Sequence, residues 1–311
     1  MDGDRITKDE MLNAILNSGY LIEQRVEPIF TKFDYFVEQN KIYVDPETGK
    51  TREIDISALS GKDLLEGKMD FIWYSIIAEC ENNKQPVVFF KNNFDPQMVE
   101  GEIIKLSGIP LKFYTERNNK IQRHTITSFL KMQEFHHYYK NKVLATQYCS
   151  FQQTNKGNKK NWIANHDEKQ HDSFTGLVKF IRQELNDDFN RYDVPIVNES
   201  EDISIKLYYP LIILQGELYS AEMKKTGLET KQIDHAIFVK QTFNDDVHEN
   251  FFIDVITESY LPTYLRLVEK EIDTIIKKLK ENYELVLKSK EKLTNLVNTN
   301  LNENISKILG L

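Results

Sequence analysis

DPETGKTREIDI, from Asp45 to Ile56, and FIWYSIIAECENNKQPVVFF, from Phe71 to Phe90, are the stretches on which the reading of this chain turns. In the first, Pro46 and Gly49 punctuate a polar turn between KIYV, Lys41 to Val44, and REIDIS, Arg52 to Ser57, so the spacing predicts a β-hairpin. In the second, β-branched and aromatic residues crowd together until ECENNKQ, and this predicts a buried strand followed by a turn and a further strand at VVFF. Side chains in a strand alternate between faces, so Glu53 and Asp55 share one face, and Glu79 and Glu81 share one. If the two strands are neighbours, Asp55 and the Glu79/Glu81 pair converge. Carboxylates gathered in a strand interior repel one another and lose hydration, a cost that a divalent cation between them relieves.

Working outward, Met11, Leu12, Ile15, Leu16, Leu21, Ile22 and Val26 recur at helical spacing between Lys8 and about Glu38, with Gly19 as a break. A helix is expected around Pro96 to Leu106 and a strand at LKFYT, Leu111 to Thr115. Ser150 to Asp172 is polar and aperiodic and reads as a long loop. After it come a helix at SFTGLVKFIRQEL and strands near Ser204–Gln215, Leu218–Met223, His235–Gln241 and Phe251–Ile256. From Leu261 onward Leu265, Val268, Ile272, Ile275, Leu279, Val286, Leu293, Leu296, Leu301 and Ile308 fall near heptad positions. That pattern fits either a coiled-coil arm that joins protomers into a homo-oligomer or a helix folded back on the body.

The order of Glu in a first helix, Asp closing a hairpin and Glu-x-(Lys or Glu) on the next strand resembles the PD-(D/E)XK phosphodiesterase superfamily. The resemblance rests on GYLIEQ (Gly19 to Gln24), DPETGKTREIDI and AECENNKQPVVFF (Ala78 to Phe90), and covers about the first 115 residues. It implies an α/β protein: a restriction-endonuclease-like core with a mixed central sheet flanked by helices, followed by a long C-terminal helical segment. On that basis residues 1–135 form the nuclease-like core, 136–260 a sheet extension with a substrate-facing loop, and 261–311 the C-terminal helix. The resemblance further implies that Asp55, Glu79 and the backbone carbonyl of Cys80 hold Mg2+ or Mn2+, with Glu23 contributing from its helix, and that Glu23, Asp55, Glu79 and Glu81 form the catalytic group. The expected activity is hydrolysis of phosphodiester bonds in DNA, in a setting such as restriction, repair or phage defence.

This chain departs from the pattern at Glu81, which stands where the superfamily usually has Lys. A carboxylate there can accept a proton or bind metal but cannot neutralise an anion. Lys84 is the nearest candidate for a displaced cation. The departure keeps open an alternative: a catalytically degenerate, nuclease-like binding or assembly protein.

The remaining signals are weaker. Lys156, Lys159 and Lys160 with Trp162 offer charge and a stacking platform for nucleic acid, although such runs are commonly solvated loops. Lys112, Arg117, Lys120, Arg123 and His124 form a second basic stretch. Glu53 beside Arg52 reads as a surface pair. His136, His137, His166 and His171 lack a matching ligand set and read as core or surface histidines. With 48 acidic and 40 basic residues the net charge is -8, so any contact with nucleic acid must be local. Apolar residues at 40% and charged residues at 28% fit a folded globular chain. The longest apolar runs are far short of a bilayer span. Two cysteines, Cys80 and Cys149, support neither a disulfide framework nor a thiolate zinc site, and a cytoplasmic location is expected. No glycine-rich phosphate loop occurs.

Overall fold

The computed structural model describes residues 5–287 except 17, 19, 46, 69, 93–94, 97–102, 110–111, 118–119, 142, 157–158, 167, 194–202 and 245–246. Two helices, α1 (Lys8–Leu16) and α2 (Tyr20–Thr31), lead into the hairpin β1 (Phe36–Val44) and β2 (Thr51–Asp63). The hairpin turn is closed by Asp45, whose buried carboxylate accepts the N–H groups of Glu47 and Thr48 at 2.9 and 3.3 Å. Next come β3 (Phe71–Glu81), β4 (Val87–Lys91), the short β5 (Lys105–Ser107) and a separate hairpin of β6 (Lys112–Arg117) and β7 (Lys120–Thr125). Two one-turn helices, α3 (Ile126–Phe129) and α4 (His137–Lys140), precede β8 (Leu144–Lys156), β9 (Lys159–Asn165) and α5 (Glu168–Asp193). The chain then forms β10 (Ser204–Leu214), β11 (Leu218–Lys224), β12 (Gly227–Ile233), β13 (His235–Asn244), β14 (Val247–Thr257) and α6 (Leu261–Glu281).

One mixed sheet runs in the order β1-β2-β3-β10-β14-β13-β8-β4-β11-β12, with β5 added at β10 and β9 at β8. β3, β10 and β14 are parallel neighbours, while β2 runs antiparallel to β3. After short breaks, the parallel pair β3 and β10 continues as a second parallel pair, β4 and β11. Connections this short cannot reverse a chain and bring it back in parallel, so each strand carries on in its own direction through a bend. The two bends are bonded to each other. Gln215 N–H reaches Glu81 O at 3.0 Å, Val87 N–H reaches Glu217 O at 3.0 Å, and Asn83 accepts Gly216 N–H at 2.9 Å while donating to Gln85 O at 2.9 Å.

The sheet curls around α5. Phe174, Leu177, Val178, Phe180 and Ile181 pack against Ile77, Phe89, Tyr148, Ile212, Phe238 and Ile253, drawn from strands far apart in the pairing order. Lys179 of α5 also pairs with Asp45 at 3.0 Å, tying the first hairpin to this helix. The opposite face carries α2 through Ile22, Val26 and Phe30, and α6 through Leu265, Val268, Ile272 and Ile275. Each such fully buried side chain stabilises the fold by about 1.5–3 kcal/mol relative to exposure.

The architecture is therefore α/β, with a large mixed sheet, helices on both faces and a long C-terminal helix. Four expectations change. The helical spacing read to about Glu38 stops at Thr31, and Phe36 to Glu38 already belong to β1. Residues 103–107 form bends and β5 instead of the end of a helix, because Lys206 to Tyr208 recruit 105–107 into the sheet; 97–102 lie outside the described residues. The expected loop from Ser150 to Asp172 is a β8–β9 hairpin leading into α5, with Gln152, Gln153, Asn161, Trp162 and Ile163 all exposed, so no apolar alternation marks it. The strand β12 was not foreseen, for a similar reason: GLETKQI is exposed almost throughout. Of the two readings of the C-terminal pattern, α6 takes the second and folds back on the sheet, burying Tyr264, Leu265, Val268, Ile272 and Leu279; the heptad positions Leu293, Leu296, Leu301 and Ile308 lie outside the described residues. No helix among the described residues is long and apolar enough to cross a membrane.

Candidate functional site

Residues Ile56 and Ala78 are the last recorded partners of the β2–β3 ladder, and the acidic residues sit immediately beyond them. There the Asp55 carboxylate takes up the Cys80 N–H at 2.7 Å. Asp55 and Glu79 are also hydrogen-bonded to each other side chain to side chain, so the two carboxyls meet at the same end of the two strands. Glu79 lies toward α5, where a Cβ placed on Gly176 would come within 3.5 Å of its Oε1. Glu81 points the same way and accepts from Ser173 Oγ at 2.5 Å. It borders a cavity of about 10 Å³ enclosed by Val87, Phe89, Gln170, Phe174, Ile212, Leu214 and Val255.

Electrostatics joins the four acids into one group. Burial raises the Glu79 carboxyl well above the usual range, and the charges of Asp55, Glu81 and Glu23 push it in the same direction. Burial likewise raises Asp55, against the hydrogen bonds from Cys80 and Glu79 that favour its ionised form. Glu23 is pushed up to about 7 by burial and by the charges of Asp55 and Glu53. The neighbour of Glu23 on α2, Arg25, is engaged elsewhere: it forms a bidentate pair with Glu258 at 2.6 Å and anchors α2 to the end of β14. Cys80 turns its thiol to the α2 and α6 face, where burial raises its pKa.

The four acids do not contract to a single point. Among the described residues, no set of three ligand atoms that includes Glu23, Asp55, Glu79 or Glu81 lies within 4.8 Å of one another, although Asp55 and Glu79 interact side chain to side chain. Hard oxygen donors of this kind suit Mg2+ or Mn2+, and two mutually repelling carboxyls fit such an ion. Lys84 lies exposed in the turn after β3. Lys160 and Trp162 are exposed on β9; the side chains of Lys156 and Lys159 are outside the described residues, although their backbones pair at the hairpin tip. His124 lies within β7, paired with Phe113, and the side chains of Lys112, Arg117, Lys120 and Arg123 are likewise outside the described residues.

A second polar centre lies on the α6 face of the sheet. His137 Nδ1 bonds Glu271 at 2.8 Å, and its Nε2 lies 3.1 and 3.0 Å from the two oxygens of Asp254. His235 Nε2 approaches the same Asp254 at 2.7 Å, and Tyr264 donates to it at 2.8 Å. Burial depresses His137, but the charges of Asp254 and Glu271 outweigh it and hold the imidazole up to about 10. Burial drives His136 the other way, to about 4. Far from lacking acidic partners, the His136–His137 pair has Glu271 and Asp254 around it. The signal was present in the sequence. Asp254 stands inside the apolar run FFIDVIT as Asp55 stands inside REIDI, and Glu271 falls on the apolar stripe of α6 next to Ile272.

No protein-family model, curated protein or solved structure matches this chain.

Proposed function

We propose that this protein is a divalent-metal-dependent nuclease that hydrolyses phosphodiester bonds, with DNA as its substrate and a restriction-endonuclease-like core formed by α2, β1–β4 and α5. The observation that carries this reading is the hydrogen-bonded contact between Asp55 and Glu79 at the shared end of β2 and β3, with Glu23 and Glu81 coupled to it. Mg2+ or Mn2+ held by Asp55 and Glu79 would polarise a phosphodiester and make an attacking water more acidic. Glu23, which shares its proton with solvent near neutral pH, is suited to exchange a proton with a reacting group. The Cys80 N–H fixes the Asp55 carboxylate, and Ser173 fixes Glu81, so neither has to be reoriented when an anionic substrate arrives. The exposed Lys160 and Trp162 supply a charge and a stacking surface for a nucleic-acid strand.

A second reading, a nuclease-like protein that binds without cutting, is favoured by one observation: among the described residues, no three donor atoms that include one of the four acids lie within 4.8 Å of one another. Incubation of the full chain with plasmid, linear and single-stranded DNA and with RNA, in Mg2+ or Mn2+, separates the two. Cleavage abolished by Asp55→Ala is the expected result. Cleavage that Asp55→Ala leaves unchanged would overturn the nuclease assignment, and retention of DNA without cleavage would establish the binding role.

A further inference from the structure

We infer that His137, His235 and Asp254 form a second metal site, built for a transition-metal ion such as Zn2+ and separate from the Asp55–Glu79 pair. Three elements bring the donors together: His137 begins α4, His235 begins β13, and Asp254 lies two residues from His235's ladder partner Ile256 in β14. One ligand atom from each, imidazole nitrogen or carboxylate oxygen, falls within 4.8 Å of the others. Both imidazoles present Nε2 to the same carboxylate, at 3.0 and 2.7 Å.

Each donor is also held from behind. Glu271 fixes His137 through Nδ1 at 2.8 Å, Tyr264 fixes Asp254 Oδ2 at 2.8 Å, and the remaining ring nitrogen of His235 lies 3.3 Å from the Asn141 amide. Metal-binding histidines characteristically have this outer arrangement, a carboxylate or amide that sets the tautomer and orients the ring.

The charge inventory points the same way. Asp254 and Glu271 are both buried, and their recorded ion partners are histidines, with no Lys or Arg among them. Two carboxylates enclosed in an apolar layer need positive charge close by, which an imidazolium or, at one point, a divalent cation supplies. The side-chain polar groups do not close on their own either: the Tyr209 hydroxyl, buried beside the cluster, has no hydrogen-bond partner among the described residues, and His136 Nε2 has only a 3.4 Å approach to Glu271. Two nitrogens and one oxygen select zinc, cobalt or nickel over Mg2+, which prefers an all-oxygen shell. Uptake replaces imidazole protons by the cation, so protons are released as the metal enters. His235 retains slight exposure and marks the route in.

The test is metal uptake by the full chain after chelation, followed by elemental analysis and by the visible spectrum of the Co2+ form. About one equivalent of Zn2+ or Co2+ is expected at this site, with Co2+ bands of a nitrogen-containing shell. His235→Ala, the least buried of the three, should abolish that equivalent, and Glu271→Gln should weaken it roughly 10- to 100-fold. Asp55→Ala should leave it in place. Circular dichroism of each variant distinguishes loss of metal from loss of fold, and if His235→Ala does not fold, the Glu271→Gln shift and the Co2+ spectrum of the unaltered chain decide. Failure of the chelated chain to take up Zn2+ would overturn the site, as would uptake lost in Asp55→Ala but kept in folded His235→Ala.

Discussion

At the scale of single residues, the acidic group stores repulsion. Glu23 keeps its proton in the folded chain up to about pH 7, whereas in the unfolded chain it releases it near the ordinary value of 4.5. A raised carboxyl of this kind adds stability that is complete below the unfolded value and disappears as pH climbs through the folded one. Chelator-treated protein should therefore lose thermal stability between about pH 4.5 and 7, and Glu23→Gln should flatten that slope; melting curves across the range check it. Glu79→Gln removes a buried carboxyl raised by the same forces. It should stabilise the chelated protein at pH 8 by on the order of 1 kcal/mol while eliminating metal-dependent cleavage, a combination that denaturant titration and a nicking assay read together. At the other centre, Tyr264→Phe deletes one hydrogen bond to buried Asp254 and should cost about 1.5–3 kcal/mol, measured by denaturant titration.

At the scale of elements, what could be read from the sequence was whatever had one buried face. The strands β2, β3, β10 and β14 each combine an apolar face with a boundary signal and stand where the pattern placed them, whereas β1, exposed along most of its length, begins at Phe36 inside the stretch read as helical. β12 and the β8–β9 hairpin expose both faces, so hydrophobic alternation had nothing to report. The acidic pair was legible because Asp55 and Glu79 sit inside apolar strands that are also adjacent in sequence. His235 and Asp254 share the β13–β14 hairpin and Glu271 sits on the helix after it, but His137 comes from α4, far earlier in the chain, and only the folded structure brings it to them. β5 illustrates a constraint no pattern reveals. Gly108, at φ +79°, leaves a hypothetical Cβ only 1.9 Å from Ser204 O. Gly108→Ala must push β5 off β10 or strain the backbone, and should destabilise the protein by more than about 1 kcal/mol, with Lys105 to Ser107 losing hydrogen-exchange protection first.

At the scale of the molecule, Glu79 and Glu81 turn toward α5, whereas the histidine centre lies on the opposite face of the sheet with α6. Glu79 pairs across the ladder with Ile212, while Leu211, next to it, pairs with both Ala78 and Asp254. The parallel strand β10 thus separates the centres by a wall of apolar side chains, so each can be altered with the other left standing. The rim of the sheet is uneven. Its β12 edge carries Glu229 and Lys231, which discourage pairing with another chain, whereas the β1 edge leaves Phe36, Ile42 and Val44 exposed.

The cross-bonded bends where β3 passes into β4 and β10 into β11 make a single joint out of two. A Cβ on Gly216 would lie 2.4 Å from Asn83 O, so the joint closes only because that position has no side chain. Mechanical load on either strand is shared with its companion there, and Glu81, whose carbonyl is one of the fastenings, rides on the hinge pin itself.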